Sequence, residues 1–379
     1  MGICIVGAGA IGGMLGVKLA LAGEDVTFIS RGVNLEAVRK NGMRLIMEGG
    51  DECLAHPVQA TDRIAEAGVQ DLVILGMKAH QVAPVAKDLR SLFGPDTIVV
   101  TMQNGIPWWY FHKHPGPYDG MRIEAVDPGG VIAANIEIDR VIGCVAYPAS
   151  EVIAPGVIRH IEGNRFSVGE LDGAETPRVK GVSELFRKAG FKSPVLTDIR
   201  SEIWLKLWGN LSFNPISALT HATLVDICRF PTSRELAARM MAEAQTIGEK
   251  LGVHFRVPLE KRIAGAEAVG EHKTSMLQDV EHGRELELDA LVGAVVELGR
   301  ITRTPTPHID AIYACASLLA RTLRGEKGRL RIERLGSRPP GAAGGPPLAV
   351  RAQGMLPWHP GGWRAVFSCI AGSRSSAGR

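Results

Sequence analysis

A glycine-rich turn near the N-terminus places the strongest constraint on the fold of this chain. Residues 2–6 form a short apolar run typical of a buried strand, and residues 14–21 have helical apolar spacing. Between them lies Gly7-Ala8-Gly9-Ala10-Ile11-Gly12, in which the glycines follow a G-x-G-x-x-G pattern. A second strand follows over 26–29, which completes the context of a dinucleotide-binding fold. We expect these six residues to bind a dinucleotide pyrophosphate at the helix N-terminus; the alternative is a glycine turn without a ligand.

The residue after the second strand indicates which dinucleotide binds. NAD enzymes usually carry Asp or Glu there, and its carboxylate binds the ribose 2′-hydroxyl. This chain has Ser30-Arg31-Gly32 instead, and an arginine can bind a 2′-phosphate through two hydrogen bonds. We therefore predict NADP(H) as the cofactor, with Arg31 as the phosphate ligand. The alternative is that Arg31 is a solvated loop charge and the cofactor preference is lax.

Strands and helices alternate along the first 197 residues. Strands are predicted at 43–47, 53–58, 71–76, 97–101, 141–147, 157–161, 165–168 and 192–196, and helices at 34–41 and 175–189. This alternation predicts an α/β fold with a doubly wound, Rossmann-type sheet and an antiparallel edge. Ligands bind at the carboxyl ends of such strands, where Lys78 and Asn104 lie. Lys78 is a candidate ligand of a phosphate or ribose, or a surface lysine. Asn104 is a candidate ligand of nicotinamide or substrate, or part of an Asn-Gly turn.

Residues 107–129 lack a regular pattern and open with Pro107-Trp108-Trp109-Tyr110-Phe111. We predict an inserted loop that is held against the protein by its aromatic side chains. His112 and His114 have no partner ligands in this segment, so we expect no metal site there.

From Asp198 onward the strand patterns stop. Helices are predicted at 232–251, 258–269, 275–282, 285–301 and 307–324. We therefore expect a dinucleotide-binding domain over 1–197 and an all-helical domain over 198–325. The last segment, 326–379, is rich in Gly, Pro, Arg and Ser, and we predict a disordered basic tail.

The first helix of the second domain carries three polar side chains on one face. Lys206, Asn210 and Asn214 are four residues apart, so they align along one stripe among apolar neighbours. Desolvating a lysine in this setting is unfavourable unless a polar group lies opposite it. We expect the stripe to face a cleft and bind a polar substrate, with the helix bending or ending near Asn214 because Pro215 follows. The alternative is a lysine that snorkels from a core helix beside two satisfied amides.

A second polar group lies further along the helical half. Ser275 is a candidate helix N-cap with Gln278 at the capping-box position, which would explain Ser275 structurally. Glu287 follows in an apolar setting. A carboxylate opposite Lys206 would keep the lysine protonated and oriented, although Glu287 is equally consistent with a surface position.

Composition argues against several other classes of protein. The 379 residues are 45% hydrophobic and carry a net charge of only +3, which gives no electrostatic reason to expect a nucleic-acid or membrane partner. The six cysteines are scattered without metal-ligand spacing. The N-terminus runs directly into a strand and no apolar run approaches the length of a membrane span. We expect a cytoplasmic protein with reduced thiols.

The motifs together are similar to those of one enzyme family. Beyond the glycine turn and Arg31, they are Lys78-Ala79-His80-Gln81, Gln103-Asn104-Gly105, the series Lys206, Asn210, Asn214 before Pro215, and Ser275-Met276-Leu277-Gln278-Asp279 with Glu287. On these residues, positions 1–325 resemble the ketopantoate reductases (2-dehydropantoate 2-reductases). The resemblance implies NADPH-dependent reduction of 2-dehydropantoate to pantoate, a step toward pantothenate and coenzyme A.

The resemblance also implies roles for individual residues. The catalytic lysine falls on Lys206, and the substrate-binding groups fall on Asn104, Asn210, Asn214 and Ser275. Cofactor contacts fall on Gly7, Ala8, Gly9, Ala10, Ile11, Gly12, Arg31, Lys78, Gln81, Asn104, Ala149 and Glu287. Two departures, Leu224 at a position that is polar in some members and the long 107–129 segment, leave the identity of the 2-oxo acid open.

Two other functions remain as alternatives. One is a reductase of another 2-oxo acid on the same scaffold, such as a mandelate-type 2-hydroxyacid dehydrogenase. The other is a non-catalytic NADP-binding regulator, which is disfavoured because Lys206, Ser275 and Glu287 occur together. The expected partner is a small 2-oxo acid, with no nucleic acid, membrane or metal; a homodimer is left open.

Overall fold

The computed structural model describes residues 1–332. The predicted tail over 326–379 therefore lies largely outside the described residues, and the domain boundary between 197 and 198 stays a prediction. No described helix has the length and apolar character needed to cross a membrane.

The strands of the described residues all precede residue 170. They are β1 Gly2–Val6, β2 Asp25–Ile29, β3 Met43–Ile46, β4 Glu52–Ala55, β5 Gln59–Thr61, β6 Gln70–Leu75, β7 Phe93–Thr101, β8 Val141–Ala146, β9 Ala149–Ala154, β10 Val157–Glu162 and β11 Phe166–Gly169. Seven of them form one sheet in the order β11-β8-β7-β6-β1-β2-β5. All neighbours pair in parallel except β11, which is antiparallel to β8. The predicted Rossmann-type sheet with an antiparallel edge is therefore confirmed.

Among the described residues, three helices lie between strands in the sequence and eight follow the last strand. They are α1 Ala10–Leu21, α2 Gly32–Asn41, α3 Ala86–Leu89, α4 Pro177–Lys188, α5 Ile199–Thr220, α6 Leu224–Arg229, α7 Pro231–Lys250, α8 Leu259–Ala268, α9 Ser275–His282, α10 Ala294–Ile301 and α11 Pro307–Gly325. A π-helical turn, Asp289–Gly293, leads into α10. From Ile199 onward the regular elements are helical, as the sequence predicted.

A second sheet, which the sequence analysis did not predict, covers the other side of α1. Its order is β4-β3-β10-β9, with β3 and β10 parallel and the two edge strands antiparallel. Ile158 of β10 occupies the space where a side chain on Gly13 would lie, so this glycine allows the helix and the second sheet to approach closely. The predicted strand at 192–196 was wrong: only isolated bridges join Lys192 to Arg165 and Val195 to Val168.

Helix α5 forms the core of the helical half. Asp198 caps it by accepting a hydrogen bond from the backbone N–H of Ser201 at 2.9 Å. Trp204 and Trp208 are fully buried, and the indole of Trp208 donates to the carbonyl of Met241 on α7. The helix was expected to bend or end near Asn214; an end there was wrong, because α5 continues through Pro215 to Thr220, and a bend stays a prediction. Packing on all sides outweighs the backbone hydrogen bond that the proline removes.

The inserted segment 107–129 is held down by its aromatic residues, as predicted. Residues 108–111 are buried. The Trp109 indole donates to Thr101 on β7 at 2.8 Å, and the Trp204 indole donates to the Tyr110 hydroxyl at 2.7 Å. The loop therefore joins the sheet to α5. Within residues 1–332, no cluster of His, Cys, Asp and Glu is suited to hold a metal ion.

Candidate active site

The glycine turn between β1 and α1 permits a ligand to approach its backbone closely. Gly7 has a φ of +101°, and a Cβ on it would lie 2.8 Å from the backbone N of Met77. A Cβ on Gly9 would meet nothing within 4 Å, so this residue faces open space where α1 begins. The first turn of α1 contains no acidic residue, and its N–H groups lack helical acceptors. The turn therefore fits the pyrophosphate of a dinucleotide.

A cleft of about 350 Å³, here called the dinucleotide cleft, opens beside this turn. Of the predicted cofactor ligands, it is lined by Gly7, Gly9, Ala10, Ile11, Lys78, Gln81, Asn104 and Glu287. Ala8 and Gly12 are buried behind it, where Gly12 packs closely on Gly76. Arg31 is exposed at the N-terminus of α2 and does not line the cleft, so its role as a phosphate ligand stays a prediction.

Lys78 connects the carboxyl end of the sheet to α9 and the segment after it. Its Nζ donates to Asp279 Oδ2 at 2.6 Å and to the Glu285 carbonyl at 2.8 Å. The nearly buried Asp279 also accepts from Arg284 Nε at 2.8 Å. Asp279 and Arg284 line the dinucleotide cleft, although neither was predicted from the sequence to have a role there. The available signal was the spacing of Ser275 and Asp279, which puts them on one helix face.

Lys206 lies where α5 meets the carboxyl ends of β7 and β8. Its Nζ donates to Asn104 Oδ1 at 2.6 Å and to the carbonyl oxygen of Ala146. Burial lowers the pKa of Lys206 to about 8, while the negative charge of Glu287 opposes this change. Both direct partners are neutral oxygens, and no carboxylate of the described residues pairs with the ammonium group.

Glu287 lies on the other side of the Asn104 amide. Its carboxylate accepts from the backbone N–H of Ala79 at 3.3 Å. Burial raises the pKa of Glu287, and the positive charge of Lys78 and a hydrogen bond from Asn104 oppose that change. The structure therefore brings Glu287, Asn104 and Lys206 together, although Glu287 and Lys206 are 81 residues apart in the numbering of the chain.

A second cavity of about 330 Å³, here called the Lys206 cavity, lies along the polar stripe of α5. It is lined by Lys206, Asn210, Asn214, Ser275, Asn104, Ala149 and Leu224, among others. Asn104, Ser275 and Ser150 line both this cavity and the dinucleotide cleft, so the two spaces meet. The resemblance implies a cofactor contact for Ala149. Ala149 lines the Lys206 cavity and does not line the dinucleotide cleft.

Ser275 is not the N-cap of its helix. Thr274 takes that position and accepts from the backbone N–H of Leu277 at 3.3 Å, so the capping prediction for Ser275 was wrong by one residue. The Ser275 hydroxyl instead accepts from Asn214 Nδ2 at 3.4 Å. Since capping does not occupy it, this hydroxyl is available where the two spaces meet.

Comparison with known proteins places the chain in a family. A family model described as ketopantoate reductase PanE/ApbA matches residues 3–114, and one described as ketopantoate reductase PanE/ApbA C terminal matches residues 198–320. The chain belongs to the ketopantoate reductase family. This ketopantoate reductase family member is also 56% identical over 329 residues to the 2-dehydropantoate 2-reductase of Mesorhizobium japonicum, a match that covers 86% of this chain and 99% of the relative.

Solved structures agree with this assignment. A protein from Ralstonia solanacearum shares 43% identity with a TM-score of 0.81, over 85% of this chain and 98% of that one. The 2-dehydropantoate 2-reductase of Geobacter metallireducens shares 28% identity with a TM-score of 0.72, over 83% and 99%. A D-mandelate dehydrogenase solved with NADH and anilino(oxo)acetate has a TM-score of 0.74 at 20% identity, which shows the fold alone. The predicted family, fold class and oxidoreductase activity with a nicotinamide dinucleotide are thus confirmed.

Proposed function

We propose that this ketopantoate reductase family member catalyses the NADPH-dependent reduction of 2-dehydropantoate to pantoate. The observation that carries the proposal is the position of Lys206. Lys206 lines the Lys206 cavity, and its Nζ is hydrogen-bonded to Asn104, which lines both this cavity and the dinucleotide cleft. An acid is thereby held at the junction of a cofactor space and a substrate space. The name of the relative from M. japonicum supports the choice of substrate.

The chain's own residues supply the acid and the orientation of the substrate. When bound, the nicotinamide supplies a hydride to the ketone carbon. Lys206 stabilises the negative charge that grows on the ketone oxygen and donates a proton to it. Because its pKa is about 8, Lys206 is mostly protonated at neutral pH and releases its proton more readily than an exposed lysine. Asn104 and the Ala146 carbonyl fix the Nζ, so little reorganisation precedes the transfer.

Three polar side chains of the Lys206 cavity bind the rest of the substrate in this proposal. Asn210 lies one helical turn beyond Lys206, and Asn214 follows after another turn, where it contacts Ser275. Amide and hydroxyl groups suit the carboxylate and hydroxyl groups of 2-dehydropantoate. On the cofactor side, Arg31 selects NADPH over NADH by binding the 2′-phosphate. The cytoplasmic location and a homodimer stay predictions.

The proposal is tested by following NADPH consumption with 2-dehydropantoate. We expect turnover by the wild-type protein, and Lys206→Ala should lower kcat by about 100-fold or more, the usual effect of removing a positioned acid. Lys87→Ala, which removes an exposed lysine outside both spaces, is the matched control and should leave kcat unchanged. Near-normal turnover by Lys206→Ala would refute the mechanism.

The alternatives predict different outcomes of the same assay. A panel of 2-oxo acids, including an aryl member such as a mandelate precursor, separates 2-dehydropantoate from other substrates on the same scaffold. A non-catalytic regulator would bind NADPH but would not oxidise it with any 2-oxo acid of the panel.

A further inference from the structure

One arginine in the Lys206 cavity carries a charge that no described residue balances. Arg262 lies on α8, is half-buried and lines this cavity. Within residues 1–332, it is the only half-buried arginine whose side chain makes neither an ion pair nor a hydrogen bond. The others all have partners: Arg140, Arg165, Arg178, Arg200 and Arg234. The exposed carboxylate of Glu162, which also lines the cavity, makes no ion pair with Arg262.

The two acidic groups that act electrostatically on Arg262, Tyr147 and Cys228, do not supply the missing negative charge. Its guanidinium is influenced by the Tyr147 hydroxyl and the Cys228 thiol. Burial raises the pKa of both groups, so both are neutral at neutral pH. Burial also lowers the pKa of Arg262, but a guanidinium stays protonated under these conditions. An uncompensated, partly desolvated cation is unfavourable in the free protein and favours an anionic ligand.

The position of the guanidinium is fixed against the helix that carries Lys206. A Cβ on Gly209 would overlap the Arg262 Nη2 atom, so the guanidinium lies directly on the backbone of α5 at that glycine. Gly209 follows Lys206 by three residues, less than one helical turn. Lys206, which belongs to α5, and Arg262, whose guanidinium from α8 lies against α5 at Gly209, therefore both line one cavity. Glycine at 209 provides the space, since alanine would displace the guanidinium.

We propose that Arg262 binds the carboxylate of the 2-oxo acid substrate and so selects acids over neutral ketones. This inference rests on the proposed function. A 2-oxo acid has adjacent ketone and carboxylate oxygens. If Lys206 takes the ketone oxygen, Arg262 is the remaining lysine or arginine that lines the cavity among the described residues. Arg262 lies against Gly209, less than one helical turn from Lys206 on α5, so the two cations are placed to contact neighbouring groups of one ligand in the cavity. A guanidinium also binds both carboxylate oxygens at once, which fixes the face of the ketone.

The primary experiment is steady-state kinetics of Arg262→Met with 2-dehydropantoate and with its methyl ester. We expect the KM for the acid to rise by about 50-fold or more, as for loss of a bidentate charged contact, with kcat reduced less and the KM for NADPH within about twofold. The wild-type preference for the acid over the ester should largely disappear in the variant. Because the Arg262 side chain has no hydrogen-bond or ion-pair partner within residues 1–332, the thermal stability of the variant should not fall below that of the wild type.

Two further variants separate the charge from the shape of the site. Gly209→Ala keeps the arginine but displaces its guanidinium, so it should also raise the KM for the acid while leaving the helix intact. Arg262→Lys should restore part of the loss through a single charged contact. Arg256→Met, an exposed arginine outside the cavity, removes the same charge and should change nothing.

The outcomes distinguish this inference from the proposed function. If the wild-type protein reduces 2-dehydropantoate but Arg262→Met keeps its KM for the acid and its preference over the ester, the carboxylate assignment is overturned alone. A rise only in the KM for NADPH would likewise overturn it, because Arg262 would then act on the cofactor. If the wild-type protein does not oxidise NADPH with any of the 2-oxo acids tested, both proposals fail.

Discussion

The pH dependence of the reaction gives a direct test of how Lys206 is tuned. A lysine acid must be protonated, so the rate of reduction should fall as pH rises through its pKa. An exposed lysine would lose its proton near pH 10.5, whereas Lys206 has a pKa of about 8. We therefore expect kcat/KM for the 2-oxo acid, at saturating NADPH, to decline above about pH 8. Replacing Glu287 by Gln should move this decline to lower pH, because the carboxylate charge favours the ammonium form.

The size of the shift follows from the position of Asn104. Its Oδ1 accepts from Lys206 Nζ at 2.6 Å, and its side chain also hydrogen-bonds to Glu287. Two charges separated by one amide are roughly 6–7 Å apart, and at an effective dielectric constant of about 20 they attract by about 2–3 kcal/mol. At about 1.4 kcal/mol per pKa unit, this gives at most about two units. Water in the open cleft screens part of the attraction, so we expect a shift of about one unit.

The assay is a pH series of kcat/KM for the wild type and for Glu287→Gln, with NADPH saturating for each. Glu285→Gln is the matched control, because it removes an exposed carboxylate two residues away that pairs with Arg324 and lies outside both active-site spaces. The control should keep the wild-type profile. A Glu287→Gln profile that declines at the same pH as the wild type would refute the coupling, and a wild-type profile flat to pH 10 would refute the lowered pKa of Lys206.

Two further predictions concern the cofactor side of the site. Arg31→Asp should raise the KM for NADPH far more than that for NADH, because a carboxylate repels the 2′-phosphate; an unchanged ratio of the two KM values would contradict the phosphate assignment. Asp279→Ala removes the carboxylate that both Lys78 and Arg284 contact, so we expect a loss of about 1–3 kcal/mol in the free energy of unfolding, measured by denaturant titration, and weaker NADPH binding. Unaltered stability and NADPH affinity would show that this ion pair neither joins the sheet to α9 nor supports the cleft.

Local sequence patterns were sufficient for most of the fold. The glycine turn, its flanking strands and the amphipathic helices such as α7 are determined by residues that are close in the chain. The division of the strands into two sheets was not predictable in this way. Strands β3 and β10 pair although Leu45 and Ile158 are more than 100 residues apart, and neither strand's own pattern records its partner. The end of α5 expected at Pro215 was wrong for a similar reason, because the burial that allows the helix to continue is a tertiary effect.

In the candidate site, too, residues with a local sequence pattern were predictable, and residues whose role depends on tertiary contacts were not. The four-residue spacing of Lys206, Asn210 and Asn214 is local, so the stripe and its cleft-facing side were predictable. Arg262 carries no such signal, because on its own helix it is one charge among several. Its meaning depends on Gly209 of another helix and on the absence of a carboxylate beside it among the described residues. Ser275 gained its importance when the cap proved to be Thr274, a difference of one residue that sequence patterns resolve poorly.

The contrast between the two lysines of the site supports the proposal that Lys206, and not Lys78, acts as the acid. Lys78 is in direct contact with the carboxylate of Asp279, so its charge is already balanced and it acts as a connection between the sheet and α9. Among the residues that the structure describes, the ammonium group of Lys206 hydrogen-bonds only to the neutral oxygens of Asn104 and Ala146, and Glu287 acts on it from beyond the amide. A direct carboxylate contact would raise the pKa of Lys206, so that it would release its proton less readily, and would already balance the ammonium charge before the reaction. Held by dipoles instead, the ammonium keeps its charge available for the oxygen on which negative charge develops.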